Sequence, residues 1–233
     1  MTEIKTIAFD ADDTLWVNEP YFRKAEDAFC ALMENYLPHH SSHKELFAIE
    51  IKNLPLYGYG IKAFTLSMIE AAMSISNKTI TLDAIEQMMQ IGREMLEAPV
   101  ELIPDIESVL QALQGKYRLV MATKGDLLDQ ERKLEKSGLS KYFHHIEVMS
   151  EKKIPNYEKL IRHLDIPPNE FLMIGNSLKS DVLPVLELGG HAFHVPFHTT
   201  WAYERVETTI ENERFRALGK VTEVVALLGG LVA

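Results

Sequence analysis

The spacing of apolar positions changes character twice along the chain. Near the start, "KTIAF" is a short continuous apolar run that breaks off into "DADDT". A run of that length, bounded by polar residues, predicts a strand covered on both faces. From about Pro20 to Ala98 the spacing becomes helical. Phe22, Ala25, Phe29, Leu32, Met33 and Tyr36 share one face, and Ile61, Phe64, Met68, Ala71, Ala72 and Ile75 share another. Leu82, Ile85, Met88 and Met89 begin a further helix, with Thr81 placed to cap it. "NLPLYGYG" is expected to be a loop between two of these helices, and "APVELIP" a return linker.

From Leu102 to Phe197 a different rhythm repeats: helical stretch, glycine, apolar strand, polar loop. "PDIESVLQALQG" leads into "YRLVMATKGD", "LLDQERKLEKSG" into "HHIEVMSEKK", "PNYEKLIRHLD" into "EFLMIGNS", and "SDVLPVLELGG" into "HAFHVPF". Gly115, Gly138 and Gly189 stand where left-handed helix C-caps are expected. Tyr157, Leu160, Ile161 and Leu164 mark one buried helix face. Helices alternating with strands at this spacing imply an α/β fold, a Rossmann-like parallel sheet with an inserted all-helical domain. The expected boundaries are residues 1–17 plus 100–233 for the core and 18–99 for the insert.

Composition narrows the function classes. The 233 residues carry a formal net charge of −10, which argues against general affinity for nucleic acid or anionic lipid. It permits an anionic substrate, because the potential of a site is local and a bound cation can reverse it. Cys30 is the only cysteine, so an internal disulfide and a cysteine-based zinc cluster are excluded; it reads as a buried, inert thiol. No signal-peptide pattern opens the chain and no apolar run approaches bilayer-spanning length. The expectation is a cytoplasmic protein without nucleic-acid or membrane partners.

In a parallel α/β sheet, ligands bind outside the C-terminal ends of the strands. Those ends here carry Asp10-Ala11-Asp12, then Thr123-Lys124-Gly125-Asp126, then Ser150-Glu151-Lys152-Lys153, then Gly175-Asn176-Ser177 with Asp181 just beyond. The set suits phosphoryl transfer through a carboxylate. Asp10 and Asp12, two residues apart in an extended segment, project to the same side. One can attack phosphorus, while the other protonates the leaving oxygen and then activates water. Two anions facing a phosphate need positive charge, which Mg²⁺ and a lysine would supply. A threonine hydroxyl and backbone N–H groups would hold the non-bridging oxygens.

"DADDT" matches the D-x-D-x-T signature of the haloacid dehalogenase-like (HAD) hydrolases, and the rest of the chain resembles that superfamily in order. Thr123 resembles its second motif, the lysine after the third strand its third, and "GNSLKSD" its fourth. The helical insert lies where members with a C1-type cap carry theirs. The resemblance implies that Asp10 is the nucleophile and a Mg²⁺ ligand. Asp12 would be the general acid/base, with its main-chain carbonyl on the metal. Thr123, Lys124, Gly125 and Lys152 would hold phosphate or substrate, and Asn176 and Asp181 would complete the metal site. Lys152 is preferred to Lys153 for the third motif. The implied activity is Mg²⁺-dependent hydrolysis of a small phosphorylated metabolite through an aspartyl-phosphate on Asp10, with the insert closing over the site. Asn18, Tyr21, Tyr57, Tyr59 and Lys62 are candidate substrate-facing residues of the insert.

One position departs from the family pattern. Asn176 stands where most Mg²⁺-dependent members have aspartate, and asparagine there also occurs in metal-free haloacid dehalogenases. Those enzymes lack the second aspartate of the first motif, whereas Asp12 is present, which favours a phosphatase. Alternatives of the same chemistry are a dehalogenase, a phosphomutase, or a phosphonatase with Lys62 as its imine-forming lysine. An alternative of another class is a phospho-accepting or inactive phosphate-binding module. Asp13 reads as a turn residue, and Asp181 could also cap the helix at "VLPVLELG". His191, His194 and His198 match no zinc spacing. Met68, Met73, Met88 and Met89 read as packing residues.

Overall fold

The structure, a computed structural model, describes residues 4–231. Strand β1, Thr6–Phe9, is entirely buried. It is followed by four helices: α1 Glu19–Leu32, α2 His39–Tyr57, α3 Ile61–Ile75 and α4 Leu82–Glu97. The chain then alternates: α5 Ile106–Leu113, β2 Arg118–Lys124, α6 Leu127–Ser137, β3 His145–Met149, α7 Ile154–His163, β4 Phe171–Gly175, α8 Leu183–Glu187 and β5 His191–His194. A short strand β6, Phe215–Ala217, and helix α9, Glu223–Leu231, complete it. The fold is α/β, as the alternation of patterns implies.

All six strands pair in parallel, in the order β3-β2-β1-β4-β5-β6. β1 is therefore central, with β2 and β4 on its two sides. Chain direction across the sheet reverses at β1, the switch point where ligands gather in doubly wound folds. Alternation along the strands divides two cores. Ile7, Phe9, Leu119, Met121, Leu172 and Ile174 face one side, against α5 and α9. Ala8, Val120, Ala122 and Met173 face the other, against Tyr157, Leu160, Ile161 and Leu164 of α7. Each fully buried large side chain of this kind contributes roughly 1.5–3 kcal/mol. Gly115, Gly138 and Gly189 have φ of 81°, 69° and 83°, as left-handed C-caps require.

Two compact units can be distinguished. One comprises the chain up to Val17, Val100–Lys124, and the chain from Arg132 onward. The other comprises Asn18–Pro99 together with Gly125–Glu131; the last segment, which the sequence pattern groups with the sheet, packs instead with the helices. Within the helical unit Phe29, Cys30, Met33, Phe64, Met68, Ala72 and Met88 form the core. Thr81 caps α4, its hydroxyl accepting from the Ala84 N–H at 3.2 Å.

Two expectations are corrected and one strand is added. "NLPLY" is not loop but the last turns of α2, which ends only at Gly58. Pro55 lies inside that helix, where it has no N–H to give to the carbonyl four residues back, so one bond of the ladder is lost. Asp181 does not cap α8. It lies in a single π turn, Leu178–Val182, that precedes α8, and the Ser177 side chain caps that turn by accepting from the Ser180 N–H. Strand β6 was not anticipated, because three residues with an intermediate-and-exposed pattern carry no strand signature. Among the described residues no helix is long and apolar enough to cross a membrane.

Candidate active site

β1 ends at Phe9, and the Asp10 N–H continues the ladder to the Ile174 carbonyl at 2.9 Å. The chain then turns tightly. Leu15 and Trp16 N–H groups donate back to the Ala11 carbonyl, and Asp13 N–H donates to Trp16. Asp13 sits at φ 60°, a conformation that aspartate tolerates better than most residues; its place is in the turn.

Asp10 is buried beside Lys152, whose Nζ lies 2.5 Å from Asp10 Oδ1 and 2.6 Å from Asp181 Oδ1. The Lys152 side chain is 1% exposed, whereas Lys153 is 69% exposed and pairs with Glu151. The lysine that reaches Asp10 is thus Lys152. Burial pushes the Asp10 carboxyl up to about 7; the Lys152 ammonium opposes this, and the Asp181 and Asp12 charges add to it. Burial also works against the Lys152 ammonium, but Asp10 and Asp181 outweigh it, so its pKa lies above the ordinary value. The lysine therefore stays charged.

Asp181 is held from both sides. Its Oδ2 accepts the Ser177 N–H at 2.9 Å while Oδ1 accepts from Lys152. Gly175 makes this possible, because a β-carbon there would collide with the Asp181 carboxylate. Asp12 is engaged differently: its Oδ1 accepts from the Trp16 indole at 2.8 Å and from Lys133 at 3.0 Å. Thr123 is buried, with its hydroxyl donating to the Lys124 carbonyl. Asn176 Oδ1 lies 3.4 Å from the Thr14 hydroxyl, and the Asn176 carbonyl faces His194 Nε2 at 2.9 Å.

Lys124 points into a network that the sequence did not reveal. Its Nζ contacts Glu204 at 2.6 Å and the Ser180 hydroxyl at 3.0 Å. Glu204 also accepts from the Ser177 and Ser180 hydroxyls, at 2.5 and 2.6 Å. Burial raises the Glu204 pKa, and Lys124 with the two hydroxyls more than offsets it, leaving it below the ordinary carboxylate value. Gly125, at φ 134°, begins the segment that packs with the helices. In that unit Lys62 pairs with Asp126 at 2.8 Å, Tyr57 donates to Glu70 at 2.6 Å, and Tyr21 reaches the Pro99 carbonyl.

Of the residues singled out from sequence, Asp10, Lys152 and Asp181 form one contact cluster. Asp12, Thr123 and Asn176 stand at the ends of the same or adjacent strands with other hydrogen-bond partners. Trp16, Lys133, Ser180 and Glu204 are additions. Only Glu204 had a signal, its place in "HTTWAYE" just beyond the last recognised strand.

The model of the haloacid dehalogenase-like hydrolases matches residues 4–189. The chain belongs to this family. A haloacid dehalogenase-like family hydrolase from Xanthomonas campestris is 39% identical, with a TM-score of 0.88, over 98% of this chain and 91% of that one. The HAD hydrolase YfnB from Bacillus subtilis, solved bound to magnesium, has the same fold at 18% identity and a TM-score of 0.67, covering 98% of this chain and 100% of that one. An L-2-haloacid dehalogenase from Xanthobacter autotrophicus shares it at 13% identity and a TM-score of 0.64, covering 98% and 99%. No curated protein matches the sequence. Family membership makes the chain a HAD-like hydrolase.

Proposed function

We propose that this hydrolase is a Mg²⁺-dependent phosphatase acting on a small phosphorylated metabolite through an aspartyl-phosphate on Asp10. The observation that carries the reading is the pair of carboxylates at the tip of β1, Asp10 against the Lys152 ammonium and Asp12 between Trp16 and Lys133. A halide leaves without a proton, whereas the alkoxide of a phosphate ester needs one. A second carboxylate is therefore useful to a phosphatase and superfluous to a dehalogenase.

The donor set fits Mg²⁺, a hard cation that takes oxygen ligands. The Asp10 oxygen that Lys152 leaves, the Asp12 main-chain carbonyl and the Asn176 side-chain oxygen are the groups to hold it. Both Asp181 oxygens already accept hydrogen bonds, so Asp181 would act on the ion through a remaining lone pair and chiefly position Lys152. When bound, the ion neutralises phosphoryl charge and polarises the phosphorus.

An Asp10 carboxylate oxygen attacks phosphorus and the ester P–O bond breaks. The leaving oxygen takes a proton from Asp12. Water then gives a proton to Asp12 and attacks phosphorus, and the P–O bond to Asp10 breaks, restoring the carboxylate. Lys152 opposes the burial that disfavours the Asp10 carboxylate and contributes positive charge beside the phosphoryl group. Thr123 can turn its hydroxyl from the Lys124 carbonyl to a non-bridging oxygen.

The test is a phosphate-release panel of phosphometabolites, with Mg²⁺ and with EDTA, on wild type, Asp10→Asn and Asp12→Asn. Asp10→Asn should fall to background. Asp12→Asn should lose alkyl esters while keeping part of its rate on p-nitrophenyl phosphate, whose leaving group needs no proton. Retained turnover in Asp10→Asn would sink the proposal. Asn176 favours a second reading, a dehalogenase; halide release from 2-haloacids without added metal would support that instead.

A further inference from the structure

A group of side chains at the opposite end of the sheet from the catalytic edge remains unused. His145 and Glu147 lie two residues apart on β3, so their side chains leave the same face of the strand. It is the face of Met149 and of their β2 neighbours Val120 and Ala122, the one covered by α7. α7 starts just after Lys153 and runs back along β3 to end at His163. Its ten residues span about 15 Å, and the strand from Met149 back to His145 spans about 13 Å. The two lengths match, which brings the end of the helix to the start of the strand.

There His145 Nε2 lies 3.0 Å from Glu147 Oε2, and His163 Nδ1 lies 4.0 Å from the same oxygen. The imidazole centroids are 4.8 Å apart with the rings at 72°. One ligand atom from each of the three residues lies within 4.8 Å of both others. Ligands about 2.05 Å from a tetrahedral ion are about 3.3 Å from one another. The His145–Glu147 separation is already close to that value. The remaining contraction falls on His163, whose side chain is 65% exposed and free to reorient. Two imidazoles and one carboxylate are a donor set for zinc and its neighbours, with a fourth position open to water, and are poor ligands for Mg²⁺.

We propose that His145, Glu147 and His163 form a site for one transition-metal ion, Zn²⁺ foremost, which clasps the edge strand β3 to the end of α7. β3 is the terminal strand of the sheet, where a tie to the covering helix guards an otherwise weakly held edge. The site is separate from the Asp10 cluster and does not depend on the phosphatase reading.

The test strips the protein with EDTA, restores excess Mg²⁺ to occupy the catalytic edge, and titrates at about pH 7.5, where histidine is neutral. Zn²⁺ is followed by calorimetry and Co²⁺ by its visible absorption. One equivalent should bind, with the intense bands of tetrahedral Co²⁺ and a rise in melting temperature. His145→Ala and His163→Ala should each weaken Zn²⁺ binding at least tenfold, about 1.4 kcal/mol, and remove the thermal shift. Both should keep wild-type turnover in Mg²⁺. His163 is exposed, so His163→Ala gives a folded protein on which the result can be read. Absence of binding would overturn the proposal and leave only the His145–Glu147 contact. Binding unchanged in both histidine variants, or abolished by Asp10→Asn, would equally overturn it.

Discussion

Glu50 is buried in the helical unit on the inner face of α2, and its Oε2 has no hydrogen-bond partner among the described residues. Glu19 and Glu26 of α1 are buried too. Arg23 is shared between them, at 2.8 and 3.0 Å, and His43 Nε2 lies 3.1 Å from Glu26. Burial pushes the Glu50 carboxyl from 4.5 to about 8, with the Glu26 and Glu19 charges adding to it and Arg23 opposing. Its folded pKa is thus raised above the unfolded one. The folded state holds a proton that the unfolded state has lost, so stability falls as pH rises from about 4.5 to about 8 and is flat beyond. At about 1.4 kcal/mol per pH unit, the ceiling is about 5 kcal/mol, and relaxation with water entry returns part of it. Glu50→Gln keeps the shape and removes the proton. Stability of wild type and variant would be compared by urea unfolding and by hydrogen exchange in α1 and α2 at several pH values. The variant should match wild type near pH 5 and exceed it by about 3 kcal/mol near pH 8. A difference that stays constant from pH 5 to 8 would refute the reasoning.

Gly175→Ala should cut turnover at least about a hundredfold with the sheet intact, because the new methyl displaces Asp181 and through it Lys152; circular dichroism and phosphate release check this. Lys152→Met leaves Asp10 and Asp181 buried together without their cation, which should cost about 3–5 kcal/mol in chemical unfolding as well as activity. Asn176→Asp adds one negative charge to the candidate ion site, so half-saturation by Mg²⁺ should move to lower concentration, by about tenfold, in metal-dependent turnover.

The central strands were legible in the sequence because they are covered on both faces and therefore appear as apolar runs, "TIAF" and "FLMIG" among them. α2 was not legible, and the reason is physical. Its buried stripe is Ser42, Leu46, Glu50 and Asn53, and a face that is mostly polar gives no apolar period to detect. Pro55 strengthened the wrong reading. For the site, adjacency to strand ends was enough to nominate Asp10, Thr123, Lys152 and Asp181. It could not show that Lys124 would be taken up by Glu204, 80 residues away, nor that Lys133 would reach Asp12 from α6. Such partnerships join elements that local spacing does not connect. The ambiguity between Lys152 and Lys153 shows the same limit at one residue's distance. Sequence cannot say which of two adjacent ammonium groups turns inward at the start of a helix.

The antiparallel bridge between Trp16 and Leu102, with the Val17 N–H donating to the Glu101 carbonyl at 2.8 Å, has an evolutionary consequence. Residues 18–99 leave and rejoin the sheet unit through two segments already stapled to each other, between strands that are neighbours in register. Closing so long an excursion costs only about 2.5 kcal/mol more than closing a five-residue one, since the entropy grows with the logarithm of length. The doorway is set by the bridge and is indifferent to what passes through it. A lineage could lengthen, shorten or exchange the excursion while β1 and β2 stayed paired.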